Sequence, residues 1–153
     1  MQNNYQIVKL NIKKDFANML SIFKEGFSNM PNTINSFIQD TYLQNYTSRK
    51  KRAIFGINNG TGKLIGFAKY VLVRSNATLD WLVILPIEQK KIQHYGSRLL
   101  NDSIKALQKT YGIKSIRTAT IYETRNFYLK NGFNQYNDSE IIADDLIPLK
   151  KEL

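Results

Sequence analysis

One stretch of the chain carries the residue types that anion chemistry asks for. The apolar run Leu79–Leu85 is followed by Pro86 and a polar, basic turn with Lys90, Lys91, Gln93 and His94. Then come Gly96-Ser97 and an apolar-periodic helix through Leu99, Leu100, Ile104, Leu107 and Tyr111. Strand, turn, helix in that order leaves the first N–H groups of the helix without intrahelical partners. It aims them, with the positive end of the helix dipole, at whatever occupies the turn. A phosphate-bearing ligand is the expected occupant. Glycine at 96 keeps side chains clear of converging backbone donors. His94 keeps its own N–H and belongs to a residue type that tolerates left-handed backbone conformations.

Other chemistries are excluded by composition. There is no cysteine and one histidine, His94, so disulfides, thiolate zinc sites, a cysteine nucleophile and a multi-histidine metal site are all ruled out. No metal is expected. The net charge of +10, from 22 Lys and Arg against 12 Asp and Glu, favours an anionic partner without choosing among nucleotide phosphates, nucleic acid, acidic protein and lipid. The run Arg49, Lys50, Lys51, Arg52 keeps a nucleic-acid-binding module open as an alternative. It has no interleaved aromatic residues to stack bases, so nucleic acid is not the expected partner. No apolar stretch reaches the roughly 18–20 residues that span a bilayer, and Met1–Tyr5 lacks the apolar core of a secretion signal. A soluble cytoplasmic protein without a membrane partner is therefore expected.

The elements that must position the turn follow from periodicity. With 153 residues and 42% hydrophobic content, one domain spanning 1–153 is the default. Tyr5–Ile12 alternates like a strand. Asp15 stands where an N-cap should, ahead of Phe16, Leu20, Phe23 and Phe27 on one helical stripe. A second helix is predicted from about Thr33 to Gln44. Arg52–Asn58 and Leu64–Val73 read as a hairpin around Asn58–Gly62, and the second arm is apolar on both faces, as a covered central strand would be. Thr78–Leu85 is the next strand, and the helix from about Tyr95 to Tyr111 closes on Gly112. Ser115–Ile121 is a strand, Glu123–Asn131 a short helix ended by Gly132, and strand-like pieces follow at Phe133–Tyr136 and Ile147–Leu149. The order β-α-α-β-β-β-α-β-α-β-β describes an α/β protein with a mixed sheet and helices on both faces.

Two segments in this order resemble the GCN5-related N-acetyltransferase superfamily. The family's Gln/Arg-x-x-Gly-x-Gly/Ala signature aligns with Lys91-Ile92-Gln93-His94-Tyr95-Gly96, followed by Ser97-Arg98-Leu99-Leu100. Its aromatic-Tyr pair ahead of a Lys and a Gly-Phe aligns with Phe127-Tyr128-Leu129-Lys130-Asn131-Gly132-Phe133. Lys91 replaces Gln or Arg, and His94 replaces the first glycine. Ile121 and Thr124 stand where the family commonly has Asn and Ala.

The resemblance implies the GNAT fold, a central, mostly antiparallel sheet, and acetyl-CoA as co-substrate. It implies that Lys91, Ile92, Gln93, His94, Tyr95, Gly96 and Ser97 hold the diphosphate. The backbone of Leu82, Val83 and Ile84 would pair with pantetheine as an added strand would, with Ile121 and Tyr128 beside the coenzyme. Acetyl transfer needs a proton for the departing thiolate and a neutral amine nucleophile. Tyr128 is the implied donor, since a phenol with a reference pKa near ~10 is protonated at neutral pH. Asp80 is the implied base, with Glu123 as second choice. The expected activity is transfer of acetyl to a primary amine, on a small molecule or a peptide, by direct attack in a ternary complex. Candidate pocket walls are Phe23, Phe27, Ile34, Phe37 and Tyr42, and the acidic residues Asp138, Glu140, Asp144 and Asp145 form either a cation-attracting rim or a solvated loop. A non-catalytic CoA-binding domain is the alternative, and a homodimer is compatible with the resemblance.

Overall fold

The structure, a computed structural model, describes residues 4–43, 51–89, 93–136 and 146–153. The basic residues Arg49, Lys50, Lys90 and Lys91, together with Ile92 and the acidic residues Asp138, Glu140, Asp144 and Asp145, lie outside the described residues. The chain runs β1 (Gln6–Lys9), α1 (Ile12–Gly26), α2 (Pro31–Ile38), β2 (Lys51–Asn58), β3 (Leu64–Val73) and β4 (Asn76–Ile84). It continues through α3 (Pro86–Gln89), α4 (Tyr95–Tyr111), β5 (Ser115–Thr120), α5 (Arg125–Lys130), β6 (Asn134–Gln135) and β7 (Ile147–Glu152).

These strands form one sheet in the order β1-β2-β3-β4-β5-β7-β6, antiparallel throughout except for the β4–β5 pair. Helices cover both faces. Alternation along β3 sends Phe67 to one side, where it meets Phe37 of α2, and Tyr70 to the other, where its hydroxyl lies 2.6 Å from Ser103 of α4. Every residue from Ile65 to Tyr70 is buried, as the two apolar faces of that strand require. On the α1–α2 side, Phe37 sits between Phe23, Phe67 and Trp81 with ring centroids 4.1, 5.5 and 6.0 Å away. On the other side Leu99, Leu100, Ile104 and Leu107 of α4 complete the core.

Helix boundaries depart from the sequence expectation where a polar side chain competes for the cap. The N-cap of α1 is Asn11, whose Oδ1 accepts from the N–H groups of Lys13 and Lys14. Asp15, expected as the cap, sits one turn in and accepts from the Asn11 N–H at 2.7 Å. The two side chains thus satisfy orphan donors at the helix start, and β1 ends early to make room. The second helix also changes pitch, with α2 passing into a π-helical turn over Gln39–Leu43. Such turns widen the backbone and frequently mark functional positions.

The close approach of β3 to β4 needs glycine at 66. A Cβ there would lie 2.7 Å from the Val83 carbonyl oxygen and 2.4 Å from Ile84 Cδ1. Backbone cannot yield as a flexible side-chain end does, so Gly66→Ala should destabilise the protein by about 2 kcal/mol, read as a lower urea midpoint at unchanged slope.

Candidate active site

The sheet opens between β4 and β5. Their parallel register is limited to Asn76↔Ser115, Ala77↔Ile116 and Thr78↔Arg117. The Ser115 hydroxyl donates to Asn76 Oδ1 at the closed end. At the point of divergence the Thr118 hydroxyl donates to the Leu79 carbonyl at 3.0 Å. Beyond it, β4 continues for Asp80–Ile84 with no ladder partner on the β5 side among the described residues.

A bulge accompanies the opening. Lys69 is opposite Trp81 and the next residue, Tyr70, is opposite Leu79, so Asp80 is the extra residue of β4. Bulges bend a strand, increase its twist and re-aim a side chain. Here Asp80 and Trp81 both project toward α1 and α2, where Asp80 meets Lys69 and Trp81 meets Phe23. Past the bulge, the Leu85 N–H donates to the Ile65 carbonyl at 2.9 Å. Alternation of antiparallel pairs then turns the amides of Val83 and Trp81 toward β3, and those of Leu82 and Ile84 toward the open edge. Val83 is expected with its neighbours to offer backbone to a ligand. Its amide belongs to the β3 ladder and its side chain packs toward Gly26 of α1. The Ile84 carbonyl accepts from Gln89 Nε2 at 2.8 Å, which leaves Leu82 with the most available polar edge.

At the far end of this edge stands the N-terminus of α4. His94 is the N-cap residue, in the left-handed region at φ 54° and ψ 45°, and among the described residues no side-chain hydrogen bond caps the helix. The N–H groups of Tyr95, Gly96 and Ser97 therefore have no intrahelical acceptor, and the left-handed residue ahead of them shapes a concave donor surface. His94 itself is exposed, so its imidazole does not plug the turn. Gly96 lies between Ile84 and the Phe127 ring, whose Cε2 would be 3.4 Å from an added Cβ. Asn131 braces the junction: its Nδ2 donates to the Phe127 carbonyl at 2.8 Å and to Ser97 Oγ at 3.3 Å, and its Oδ1 accepts from Asn101 at 3.0 Å.

Tyr128, on α5, guards the near end. It is buried, with its ring edge-on to Phe127 and Phe133. Burial pushes its phenol up to about 12, an effect opposed by a hydrogen bond with Thr118, the residue that pins the point of divergence. Burial likewise pushes the Tyr70 phenol up, and its neighbour is Tyr128. From Leu79 to Ile84 a strand climbs about 16 Å, so a buried phenol and a helix N-terminus stand at the two ends of one free edge.

On the α1–α2 side the bulge carries a charged pair. Lys69 Nζ lies 3.3 Å from Asp80 Oδ2 and donates to the Asp40 carbonyl at 3.0 Å. The lysine side chain is 1% exposed and the aspartate 30%. Burial lowers the Lys69 amine from its ordinary value, with Asp80 pulling it back. Burial raises the Asp80 carboxyl, with Lys69 opposing. Beside the pair, Trp81 Nε1 is buried without a hydrogen-bond partner among the described residues, and Phe27 lies edge-on to the indole at 6.3 Å.

Solved structures share this architecture from end to end. The N-acetyltransferase PaiA of Thermoplasma acidophilum, in complex with coenzyme A, superposes with a TM-score of 0.72 at 20% identity over 98% of this chain and 99% of its own. A GNAT-family acetyltransferase of Staphylococcus aureus gives 0.66 at 16% identity over 97% and 99%. A chimera of the Vibrio cholerae spermidine N-acetyltransferase SpeG with hSSAT gives 0.73 at 14% over 97% and 95%. The chain has the GNAT acetyltransferase fold. No protein-family model matches the sequence, and no curated protein matches it either.

Within the GNAT fold, the expected residues fall into two groups. Leu82 and Ile84 lie on the stretch of β4 beyond the β5 ladder, Gly96 sits beside Ile84 at the start of α4 with His94, Tyr95 and Ser97, and Tyr128 is hydrogen-bonded with Thr118 of β5. Gln93 is the described residue preceding His94, whereas Lys91 and Ile92 lie outside the described residues. Ile121 follows β5 as an exposed turn residue, its carbonyl accepting from the Thr124 N–H at 3.2 Å. Asp80 stands on the opposite side of the sheet from α4, paired with a lysine. Sequence reading missed Lys69 and Thr118. Nothing short of the strand register marks either, since one is a lone cation in an apolar strand and the other a threonine among several.

Proposed function

We propose that this chain is an acetyl-CoA-dependent N-acetyltransferase that moves an acetyl group to a primary amine by direct attack in a ternary complex. The single observation that carries the reading is the forked edge. Among the described residues, the β4 backbone beyond the β5 ladder is unpaired and the start of α4 has no side-chain cap, and both stand with the buried Tyr128 phenol about one gap. An extended arm that adds to β4 through Leu82 would reach a diphosphate at Tyr95, Gly96 and Ser97 from a thioester near Tyr128. The coenzyme supplies the activated acyl group. The described residues support the rest: Tyr128 gives a proton to the departing thiolate, and Asp80 receives the proton the amine must lose. Ile121 and Gln93 complete the proposed coenzyme contacts, with Lys91 and Ile92 assigned by sequence alone.

The acceptor enters from the α1–α2 side, where Asp80, Trp81 and Phe27 lie. A carboxylate beside aromatic faces suits an amine that arrives as a cation. The SpeG neighbour, a spermidine N-acetyltransferase, supports an amine acceptor of small size. Among the described residues no helix is long and apolar enough to cross a membrane.

Two measurements test the reading. Acetyl-CoA at about a hundred times its Kd should add about 2.7 kcal/mol of stability and raise the Tm by at least about 5 °C, while adenosine alone does not. A panel of primary amines should then release free thiol. No thermal shift removes the coenzyme site. A shift with no thiol release from any amine leaves a coenzyme-binding domain without turnover.

The loop has its own test. Gly96→Asp places a carboxylate among donors meant for a diphosphate and crowds the Phe127 ring. Acetyl-CoA affinity should fall at least about 30-fold by calorimetry, through repulsion in a site of low dielectric, with the far-UV spectrum unchanged.

A further inference from the structure

We infer that Lys69 is a positioning residue for the proton acceptor: its buried ammonium clamps the Asp80 carboxylate and ties it, through the Asp40 carbonyl, to the wall of the acceptor side. The inference rests on the N-acetyltransferase reading and adds to it a residue that acts through Asp80.

Lysine is among the residues least often fully buried, and Lys69 is buried in the middle of a strand whose neighbours Phe67, Ala68 and Tyr70 are apolar or aromatic. A leucine or methionine would satisfy packing there at no desolvation cost. The ammonium instead spends its donors on two targets from different elements, Asp40 in the π-helical turn at 3.0 Å and Asp80 at the β4 bulge at 3.3 Å. A bulged residue is held by fewer ladder bonds than its neighbours, so its side chain needs an external anchor to hold one direction. Lys69 supplies that anchor, and it does so at the residue whose carboxylate faces the acceptor side.

The charged surroundings of Asp80 make the effect readable. Lys69 on β3 and Arg52 on β2 favour its ionised form, whereas Asp40 and burial disfavour it, burial being the largest influence and Lys69 the next. On β5 the one basic residue, Arg117, has its guanidinium 5.8 Å from the Tyr136 ring, and α1 contributes the apolar Phe23 to this corner. Asp80 works as a base only when ionised, so activity is lost as pH falls through its pKa. Removing Lys69 leaves burial less opposed and moves that loss to higher pH.

The experiment is the pH dependence of kcat/KM for an accepted amine, in wild type, Lys69→Met, Lys69→Gln, Lys69→Arg and Asp80→Asn, with folding checked by circular dichroism. The acidic limb should rise by about one pH unit in Lys69→Met, the size expected for loss of an opposite charge within hydrogen-bond range. The rate at pH 7 should fall about tenfold and acetyl-CoA affinity should stay within about twofold. Lys69→Gln, which keeps a donor for the Asp40 carbonyl without the charge, reports the same shift should the methionine variant not fold. Lys69→Arg should return the limb to within about 0.3 of wild type, because it keeps the cation. Folded neutral variants with an unmoved limb overturn the role of Lys69. Asp80→Asn with wild-type rate and limb overturns it too, by removing Asp80 as base. A wild-type protein that transfers no acetyl to any amine fails earlier, at the activity reading itself, and takes the inference with it.

Discussion

Tyr128→Phe is expected to lower kcat for acetyl transfer by about 10²-fold, the lower bound for a positioned general acid, while the Kd for acetyl-CoA stays within about twofold. The ring is what packs against Phe127 and Phe133, so phenylalanine keeps the wall of the gap and deletes only the hydroxyl. That hydroxyl is the group at the point where β5 parts from β4, hydrogen-bonded with Thr118. Because burial holds its pKa at about 12, the donor form persists through the alkaline range, and no alkaline limb from Tyr128 should appear below about pH 11. The linkage has a definite sign. Raised in the fold above its unfolded value near ~10, the phenol contributes stability that is fully present below about pH 10 and is lost as pH rises through about 12. Tyr128→Phe should flatten that alkaline decline in a urea-midpoint series. Unchanged steady-state and single-turnover rates in the phenylalanine variant would take Tyr128 out of the chemistry.

Phe37→Ala should cost about 3–5 kcal/mol, the range for emptying an aromatic position in a closed core. Phe37, on α2, is fully buried and touches two rings of α1 and one from each of two strands: Phe16, Phe23, Phe67 and Trp81. Those neighbours stand on three separate elements, so none can collapse into the void without disturbing another. Its position adds a functional consequence. Trp81 is the residue beside Asp80, and loosening its edge-on contact with Phe37 relaxes the acceptor side while the start of α4, across the sheet, keeps its contacts. Chemical denaturation should show the full loss, and KM for the amine should rise at least about fivefold with acetyl-CoA affinity nearly constant.

What could be read in the sequence was whatever periodicity and local backbone chemistry encode. The twin apolar faces of Leu64–Val73 announced a strand covered on both sides, and Gly112 and Gly132 at helix ends announced the positive φ values of 64° and 90° that they adopt. His94 was legible for the same reason. A residue that tolerates left-handed backbone was needed where the family has glycine, and it takes φ 54°. Illegible were the features that depend on a partner strand. The surplus residue in β4 exists only relative to β3, so no pattern within Thr78–Leu85 shows Asp80 and Trp81 on one face or Val83 committed to its neighbour. Lys69 was invisible because its meaning is Asp80 and Asp40, distant in sequence and adjacent in space. The choice between Asn11 and Asp15 as cap was a contest between two good candidates a turn apart, decided by where β1 stops.

The unmatched residue of β4 has a further consequence for how such a binding cleft is written into a chain. Taking out Asp80 altogether would bring Leu79 and Trp81 into strict alternation opposite Tyr70 and Lys69, restoring an unbroken ladder with every apolar side chain still inward. A shortened protein of that kind should lose some stability, because the buried Lys69 ammonium is left without its carboxylate, and should bind coenzyme poorly, since a straight β4 could zip against β5 along the stretch a ligand would otherwise fill. The mouth of the cleft is thus specified less by any side chain's chemistry than by a mismatch in strand lengths, and evolution can open or shut it with a single codon.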